Sequence, residues 1–404
     1  MGKQIVVMGT LDTKGEEHLF LKQKIEEKGL ETVLIDTAII GSPYVTPDIS
    51  RHEVCRAAGH DIADLVRRRD RKLAIGVMAL GASEIVKKLH QEGNLDGIIS
   101  LGGSQGTYIS TTAMKSLPFG IPKVMVSTTL SGDVSGYIGY KDITMMHSIT
   151  DILGLNSFNK RFFTQAAFAI CAMVDDEISQ QKNERPLVAV TMFGVTTPCV
   201  MKIKNLFEKK CDTHDIIVFH ARGSGGRAME ELIRNGLITG VVDITTTELA
   251  DELVGGIRSA GPHRMEAAGE MGIPQVIGPG ALDMVNFGPM NSIPKKFDGR
   301  KFYGHTPEVT VMRTNIEENK KLGEIMAEKL NNSRGSIIVI IPKKGFSALD
   351  KIGEVFYDLD CDLALIQSLK ENLDRRINLI EIDCHINDTE FAEQVVKEFL
   401  NIIH

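Results

Sequence analysis

The chain has 404 residues, 43% of them hydrophobic and 25% charged, with a formal net charge of −7 and a pI of about 5.9. Because single cores stop growing near about 250–300 residues, this length predicts two domains, and the acidic balance argues against a nucleic-acid surface, which needs a basic stripe. With no run of about 18 apolar residues, no signal-peptide pattern and no CxxC pair among its scattered cysteines, we expect a cytoplasmic protein with no membrane partner.

The first half alternates short apolar runs with helical patterns, which is typical of a parallel α/β sheet. The predicted strands are Ile5–Met8, Val33–Ile35, Gly97–Ser100 and Lys123–Ser127, and helices are expected near residues 16–27, 52–69, 83–91 and 160–179. The polar segment 180–186 has no apolar period and ends in proline. We therefore predict a boundary there, with domains over residues 1–183 and 184–404.

The second half begins as the first does, with a strand, a Gly-Val-Thr-Thr loop, a helix and a strand. Its predicted strands are Leu187–Met192, Asp215–Phe219, Gly240–Ile244, Gln275–Gly278, Ser336–Ile341 and Asn378–Ile382. Gene duplication and convergence on one fold explain the shared order equally well. The predicted fold is α/β, with two Rossmann-like or flavodoxin-like parallel-sheet domains and a cleft between them.

A short polar loop follows the first predicted strand. Directly after Gly9 it carries two hydroxyls, a carboxylate and an ammonium group, on Thr10, Thr13, Asp12 and Lys14. These groups suit a phosphate and its metal ion, because ligands of parallel sheets bind at the carboxyl ends of strands. The loop matches neither the Walker pattern nor G-x-G-x-x-G. An ordinary helix N-cap by Asp12 or Thr13 is the alternative.

A glycine-rich loop follows the third predicted strand and precedes a helix; it comprises Gly102, Gly103, Ser104, Gln105, Gly106 and Thr107. Its backbone N–H groups can form an anion cradle that the helix dipole strengthens, and Ser104 and Thr107 can donate to phosphate oxygens. A tight structural turn is the alternative.

Asp36 ends the second strand, where nucleotide folds often place an acid that accepts a ribose hydroxyl. The alternative is that Asp36 is a surface carboxylate.

The loops of the second half are more polar. A second glycine-rich loop opens a helix there and is formed by Gly223, Ser224, Gly225 and Gly226. Arg222 and Arg227 flank it, and guanidinium groups bind phosphate or carboxylate bidentately, so we predict a small-anion site. Thr246 and Thr247 follow the next strand and are assigned to the same ligand, with helix capping as the alternative.

Long stretches of the chain carry a specific resemblance. The strings include MGTLDTKGEE, LGGSQGT, TMFGVTTPCV, VFHARGSGGRAMEELI, DITTTELADELVGG and SAGPHRMEAA. They resemble the ATP-binding family named after the N-terminal domain of the tomato mosaic virus resistance protein, whose bacterial members are largely uncharacterised. The resemblance covers nearly the whole chain and implies ATP, with magnesium, on the first domain, and a homodimer. Gln105 departs from the pattern, because the family has a glycine there.

Three functions stay open at this point. The first is an ATP-dependent enzyme that transfers a phosphoryl group to a small anionic metabolite in the cleft between the domains. Asp12 or Asp142 would hold the magnesium ion, and His220 or Glu248 would transfer protons. The second is a non-catalytic, nucleotide-gated binding or regulatory protein.

The third function is a metal-dependent lyase or aldolase that acts on a sugar-acid-like substrate. It would use His220, His305 and Asp283, although no H-x-x-x-H spacing supports a metal site there.

Overall fold

The computed structural model of the chain describes residues 2–175 and 185–403. The chain divides into two compact units, Met1–Lys182 and Asn183–His404, which we call the first and second domains. The boundary segment that the sequence predicted, residues 180–186, lies largely outside the described residues.

The first domain contains a five-stranded parallel sheet in the order β2-β1-β3-β4-β5. The strands are β1 (Gln4–Gly9), β2 (Glu31–Asp36), β3 (Gly97–Gly102), β4 (Lys123–Ser127) and β5 (Thr144–His147). After β2 the chain crosses to the other side of β1 to form β3. The loops that leave β1 and β3 therefore diverge, and this switch point is where open α/β sheets bind ligands.

Helices cover both faces of this sheet, which explains why its central strands are apolar on both sides. Their bounds are α1 (Gly15–Glu26), α2 (Arg51–Ala57), α3 (Ile62–Arg68), α4 (Arg71–Gln91), α5 (Ser104–Lys115), α6 (Ser135–Ile138) and α7 (Ser157–Val174). Helices α1 and α7 pack on one face, around Leu21, Ile25 and Phe163. Helices α2, α4 and α5 pack on the other face, around Met78 and Met114.

The single helix that the sequence predicted over residues 52–69 is wrong, because the structure has two short helices there. Gly59 adopts a φ of +75° after α2, a conformation that glycine adopts without strain. Asp61 then starts α3, since its side chain accepts a hydrogen bond from the N–H of Ala63 at 2.7 Å. Asp70 starts α4 in the same way through the N–H of Leu73, so the helix predicted at 83–91 begins twelve residues earlier, at Arg71.

The second domain contains a six-stranded parallel sheet in the order β14-β13-β9-β8-β6-β7. The strands are β6 (Leu187–Met192), β7 (Asp215–His220), β8 (Ile238–Thr245), β9 (Gln275–Gly280), β13 (Ile337–Pro342) and β14 (Asn378–Ile382). The first five strands of this sheet, counted in chain order, are arranged as the five strands of the first domain are. The sixth strand, β14, is added at the edge beside β13. The predicted α/β class with two parallel-sheet domains is confirmed.

Helices also cover both faces of the second sheet. They are α8 (Thr197–Lys210), α9 (Ser224–Arg234), α10 (Glu248–Val254), α11 (Ala267–Met271), α12 (Ile316–Asn331), α13 (Leu359–Asn372) and α14 (Thr389–Ile402). A small antiparallel sheet, which the sequence did not predict, is formed by β10 (Met284–Phe287), β11 (Phe302–Thr306) and β12 (Val309–Arg313). It packs beside the carboxyl edge of the main sheet through Met284 and Val311.

Candidate functional site

A cavity of about 770 Å³ opens at the switch point of the first domain's sheet. The β1 loop and the N-terminus of α5 form its polar side, and an apolar wall from the β2 loop and α3 faces them. The residues that line it include Thr10, Asp12, Thr13, Lys14, Ile39, Ile40, Leu65, Val66, Arg69, Arg71, Gly103, Ser104, Gln105 and Gly106. The structure thus brings most of the predicted nucleotide-binding residues to one place.

The β1 loop is a tight turn that presents Asp12 to the cavity. The carbonyl of Thr10 accepts the N–H of Lys14 at 3.0 Å. The Thr13 hydroxyl donates to Oδ1 of Asp12 at 3.3 Å. Neither Asp12 nor Thr13 caps α1, and no side chain within residues 2–175 does so. The N-cap alternative is therefore wrong, and the Asp12 carboxylate is left facing the cavity.

The side chains of Lys14 and His18 stabilise this turn through hydrogen bonds to backbone carbonyls. The Lys14 ammonium donates to the carbonyl of Ile152. His18 is buried beneath Gly9 and its Nδ1 donates to the carbonyl of Lys14 at 2.6 Å. Burial lowers the pKa of His18 to about 4, so this imidazole is neutral near pH 7 and has a structural role.

The N-terminus of α5 points its free amides at the cavity. Gly103 is the N-cap residue, and no side chain in the described part of the first domain caps this helix. The positive end of the helix dipole is therefore available to an anion. Gln105 lies within α5, outside the left-handed region, so its side chain replaces the family's glycine without backbone strain. Its Oε1 lies 3.5 Å from a guanidinium nitrogen of Arg71.

The glycines of these two loops fall into two groups. A Cβ on Gly9 would lie 1.9 Å from Nε2 of His18, and one on Gly102 would lie 2.9 Å from the Cα of Gly106. Both positions need glycine for packing, and neither residue lines the cavity. A Cβ on Gly103 or Gly106 would meet no atom closer than 3.6 Å, so the space in front of these two is free for a ligand.

Asp36 was predicted to bind a ribose hydroxyl, and this prediction is wrong. Its side chain is 1% exposed. Oδ1 accepts the N–H groups of Leu11 and Ala38 at 3.2 and 2.9 Å. Oδ2 accepts from Nε of Arg51 at 2.8 Å and forms an ion pair with its Nη2 at 2.7 Å. Arg51 in turn donates to the carbonyl of Ile40 at 2.6 Å, so the pair holds the β2 loop against the cavity.

Two further predictions for the first domain are also wrong. Thr107 is fully buried, and its hydroxyl bonds Ser127 at 2.7 Å, so it cannot reach a phosphate. Asp142 pairs with Lys123 at 2.8 Å, at the start of β4 and hence at the amino edge of the sheet. Asp12 lies at the carboxyl edge, so Asp12 and Asp142 do not share a metal ion.

The glycine-rich loop of the second domain already contains an anion. Oε1 of Glu248 accepts the N–H groups of Gly223 and Gly226 at 2.5 and 3.1 Å. Glu248 is fully buried, and its Oε2 accepts from Nε of Arg264 at 2.6 Å. The prediction of Glu248 as a catalytic group is wrong, and so is that of the Gly223 and Gly226 amides as part of a ligand cradle, whereas Gly225 lines a cavity. The acid is an internal cap of α9.

Arg264 is the centre of a buried ion cluster behind this loop. Its guanidinium binds both oxygens of Asp243 at 2.5 and 2.8 Å and lies 3.4 Å from Glu230. Burial raises the pKa of Glu230, although its oxygens accept backbone N–H groups from Met265 and Ala267. The cluster fixes the positions of β8, α9 and α10.

The remaining substrate-binding predictions divide between the core and the surface. Thr246 and Thr247 are fully buried, and the Thr246 hydroxyl donates to the carbonyl of Gly278 at 2.9 Å. Neither can touch a ligand, so both predictions are wrong. Arg227 is exposed but donates to the carbonyl of Ser259 at 2.9 Å. Arg222 and Ser224 do line a cavity, together with His220.

This second cavity lies at the carboxyl ends of β6 and β7. It comprises two adjoining hollows of about 430 and 340 Å³ that share His220, Arg222, Arg258 and Val309. The His220 ring stacks on Phe193 with 5.6 Å between ring centroids. Burial, followed by the neighbouring charges of Arg222 and Arg258, lowers the pKa of His220. His305 also lines the smaller hollow, whereas Asp283 does not.

Comparisons with known proteins place the chain among its relatives. Two models of an uncharacterised protein family, UPF0261, match it: the N-terminal domain model over residues 3–179 and the C-terminal domain model over residues 185–403. The chain belongs to the UPF0261 family.

Relatives of this UPF0261 chain occur in bacteria and in a plant. A UPF0261 protein of Clostridium tetani is 48% identical, with all of both chains covered. The tomato (Solanum lycopersicum) ToMV resistance protein Tm-1(GCR237) is 39% identical, over 99% of this chain and 56% of the tomato protein. These matches confirm the resemblance as one of family; ATP binding stays a prediction.

Solved structures add little to the description of this UPF0261 member. A UDP-N-acetylglucosamine 2-epimerase aligns over 99% of this chain and 96% of its own, with 8% identity and a TM-score of 0.25. A score this low supports no statement about function.

Several residues of the two cavities were missed in the sequence. Arg69 and Arg71 lie at the start of α4, far from either glycine-rich loop in the sequence, and Arg258 lies in an irregular segment after α10. Among the described residues, no group of three His, Cys, Asp or Glu side chains could hold a metal ion. Within the same residues, no helix has the length and apolarity needed to cross a membrane.

Proposed function

We propose that the first domain of this UPF0261 protein binds an ATP-like nucleotide together with Mg²⁺. The observation that supports the proposal most directly is the 770 Å³ cavity at the sheet's switch point, whose polar wall contains an uncapped helix N-terminus. The phosphates, the base and the metal ion of such a nucleotide each find matching chemistry in its walls.

The phosphates fit the polar wall. Gly103 and Gly106 leave open space in front of the α5 amides, and the dipole of α5 favours negative charge there. Lys14, Arg69 and Arg71 add positive charge around the same space. This arrangement matches the way glycine-rich loops bind phosphate without needing a Walker sequence.

The base fits the opposite wall. Ile39, Ile40, Leu65, Val66 and Ala74 form an apolar surface there. Ile40 is 64% exposed, and a large exposed apolar side chain beside a cavity is typical of a binding surface. The Asp36–Arg51 pair fixes the backbone of Ile40, so this wall is formed before a ligand arrives.

Magnesium fits beside Asp12. Mg²⁺ prefers oxygen ligands and is usually bound by one or two carboxylates together with substrate phosphates. Among the residues that the structure describes, the Asp12 carboxylate accepts only a 3.3 Å hydrogen bond, from the neighbouring Thr13 hydroxyl, so an oxygen remains for the metal. Bound there, the ion would neutralise phosphate charge and orient the terminal phosphate.

The test is calorimetric titration with a non-hydrolysable ATP analogue and Mg²⁺ on three proteins. Wild type should bind, and Gly103→Val should not, because its side chain enters the space proposed for phosphate, while its Cβ meets only Thr128 Oγ1, at an ordinary 3.6 Å. Gly76→Val is the matched control, since a Cβ there also meets no atom within 4 Å and the residue does not line the cavity. Failure of wild type to bind, or equal binding by Gly103→Val, would refute the proposal.

Turnover separates the enzyme from the nucleotide-gated binding protein. Steady release of inorganic phosphate from ATP, abolished in Gly103→Val but not in Gly76→Val, would support the enzyme. Saturable binding without phosphate release would support the gated binding protein.

A further inference from the structure

The second cavity contains two arginines, Arg222 and Arg258, whose guanidinium groups form no ion pair within residues 185–403. The buried carboxylate of Asp251 acts to raise the pKa of Arg258, but its Oδ1 accepts the backbone N–H of Arg258, at 3.0 Å. Arg258 is 8% exposed, and its Nε has no hydrogen-bond partner among the described residues. Its guanidinium lies over the Phe193 ring, 5.4 Å from the centroid. Arg222 lies close enough that its charge, after burial, lowers the pKa of Arg258.

The other buried arginines among the described residues each have a carboxylate partner, which the guanidinium of Arg258 lacks. Arg51, Arg264 and Arg313 are each less than 9% exposed, and each has a carboxylate oxygen within 2.8 Å of its guanidinium. Arg258 is 8% exposed, slightly more than these three, yet within residues 185–403 no carboxylate lies within 4.0 Å of its guanidinium or that of Arg222. Burying an unpaired charge is costly, so a site of this kind is stabilised by an anion from outside.

We propose that Arg222 and Arg258 bind the carboxylate or phosphate group of a small hydroxylated organic anion in the cavity of the second domain. The cavity is walled by Phe193, His220 and Val309. This inference is independent of the nucleotide, because all of its residues belong to the second domain and the nucleotide cavity belongs to the first. It keeps Arg222 from the sequence-based prediction, but it replaces the amides of Gly223 and Gly226, which Glu248 already fills, with the guanidinium of Arg258.

A buried amide oxygen specifies the hydroxyl of this ligand. Asn286 lines the smaller hollow, and its Oδ1 is buried without a partner among the described residues. Its Nδ2 donates to Oδ2 of Asp251 at 2.9 Å, which fixes the orientation of the amide. An acceptor held in this way favours a ligand hydroxyl, because a ligand without a donor leaves the buried oxygen unpaired.

His220 stands beside the proposed anion as a neutral imidazole. Burial, followed by the charges of Arg222 and Arg258, holds its pKa below the ordinary value. A bound anion offsets these charges, so we expect its binding to raise the pKa of His220 and to shift the resonance of the imidazole.

The experiment uses the full chain and follows the His220 imidazole by NMR, with His220→Gln to identify the resonance. The probes are inorganic phosphate and the dicarboxylates malate and succinate, which differ by one hydroxyl. Each anion should shift the resonance saturably and raise the pKa of His220, and malate should bind about tenfold more tightly than succinate. Tighter binding of phosphate than of malate identifies the anionic group as phosphate, and the reverse identifies it as carboxylate.

Two exposed arginines supply a matched pair of variants. Arg222→Met should weaken the binding of each anion about tenfold. Arg227→Met should not, because Arg227 bonds the Ser259 carbonyl and lies outside the cavity. Arg258→Met should abolish binding, and a retained His220 resonance would show that this variant is folded. The proposal fails if no probe shifts His220 in wild type, if succinate and malate bind equally, or if Arg227→Met weakens binding as much as Arg222→Met.

Discussion

The glycine-rich loops of the two domains look alike in the sequence and have opposite environments in the structure. Each loop follows a parallel strand and opens a helix, α5 in the first domain and α9 in the second. The amides of Gly103 and its neighbours face a cavity, whereas those of Gly223 and Gly226 donate to the buried carboxylate of Glu248. One loop is therefore open to a ligand, and the other is occupied by its own chain.

The difference lies in a residue outside the loop. Glu248 begins α10, directly after β8, and the fold brings it beneath the loop that follows β7. In the first domain the space in front of α5 is lined by Arg69 and Arg71. A helix N-terminus predicts that an anion will be bound, and the charge that surrounds the loop decides whether that anion is internal.

Removal of the internal anion is expected to have the largest effect. Glu248→Ala leaves two buried amides and one side of Arg264 unpaired, so the free energy of unfolding of the second domain should fall by about 3–5 kcal/mol. Urea denaturation, followed by hydrogen exchange in β7 and α9, would measure it. The control is Glu252→Ala, an exposed acid four residues later, which should change stability by less than about 0.5 kcal/mol. Equal stability of the two variants would show that Glu248 is not the cap of α9.

Alanine substitutions at one glycine of each loop are expected to change stability by an intermediate amount. A Cβ on Gly226 would lie 2.2 Å from Oε2 of Glu248, whereas one on Gly106 would lie 3.6 Å from its nearest neighbour, the Leu101 carbonyl. Gly226→Ala should therefore cost about 1–3 kcal/mol by overpacking. Gly106→Ala should leave stability unchanged or raise it by up to about 1 kcal/mol, because alanine favours a helix. Thermal unfolding of both variants tests this, and a destabilised Gly106→Ala would mean that the first loop is also packed against its own chain.

The smallest effect is expected at Gln105. Restoring the family's glycine with Gln105→Gly should lower stability by about 1 kcal/mol or less, because glycine is a poor helix former. Nucleotide affinity should stay the same, since Gln105 has ordinary helical backbone angles. Calorimetric titration would check this, and a tenfold gain in affinity would show instead that the glutamine side chain blocks the cavity.

Much of the fold could be predicted from the sequence, because each buried parallel strand is a short apolar run that ends in glycine, serine or a small polar loop. The strands at Ile5–Met8 and Leu187–Met192 lie within observed strands. The antiparallel sheet of β10, β11 and β12 was missed, since its strands are only four or five residues long and stand among glycines and prolines. The cleft between the domains, the homodimer and the cytoplasmic location stay predictions.

The residues of the candidate site could be predicted only where they stand next to one another in the sequence. The β1 loop and the α5 loop were found because their glycines, hydroxyls and charges are adjacent in the sequence. Asp36, Thr107 and Glu248 were misassigned because their partners, such as Arg51 and Arg264, come from distant elements. Arg258 was missed for the reverse reason: what distinguishes it is the lack of a carboxylate partner, and no sequence pattern reports that.

The buried carboxylate of Glu248 has a consequence for how the second domain responds to its surroundings. A covalently attached anion has a fixed effective concentration at its binding site, and free metabolites cannot compete with it by dilution or excess. The amides at the start of α9 are therefore occupied by Glu248 at every concentration of phosphate or organic acid. The anion that we propose for Arg222 and Arg258 would instead come and go with its concentration, so one anion site of this domain would respond to metabolites while the other stays constant.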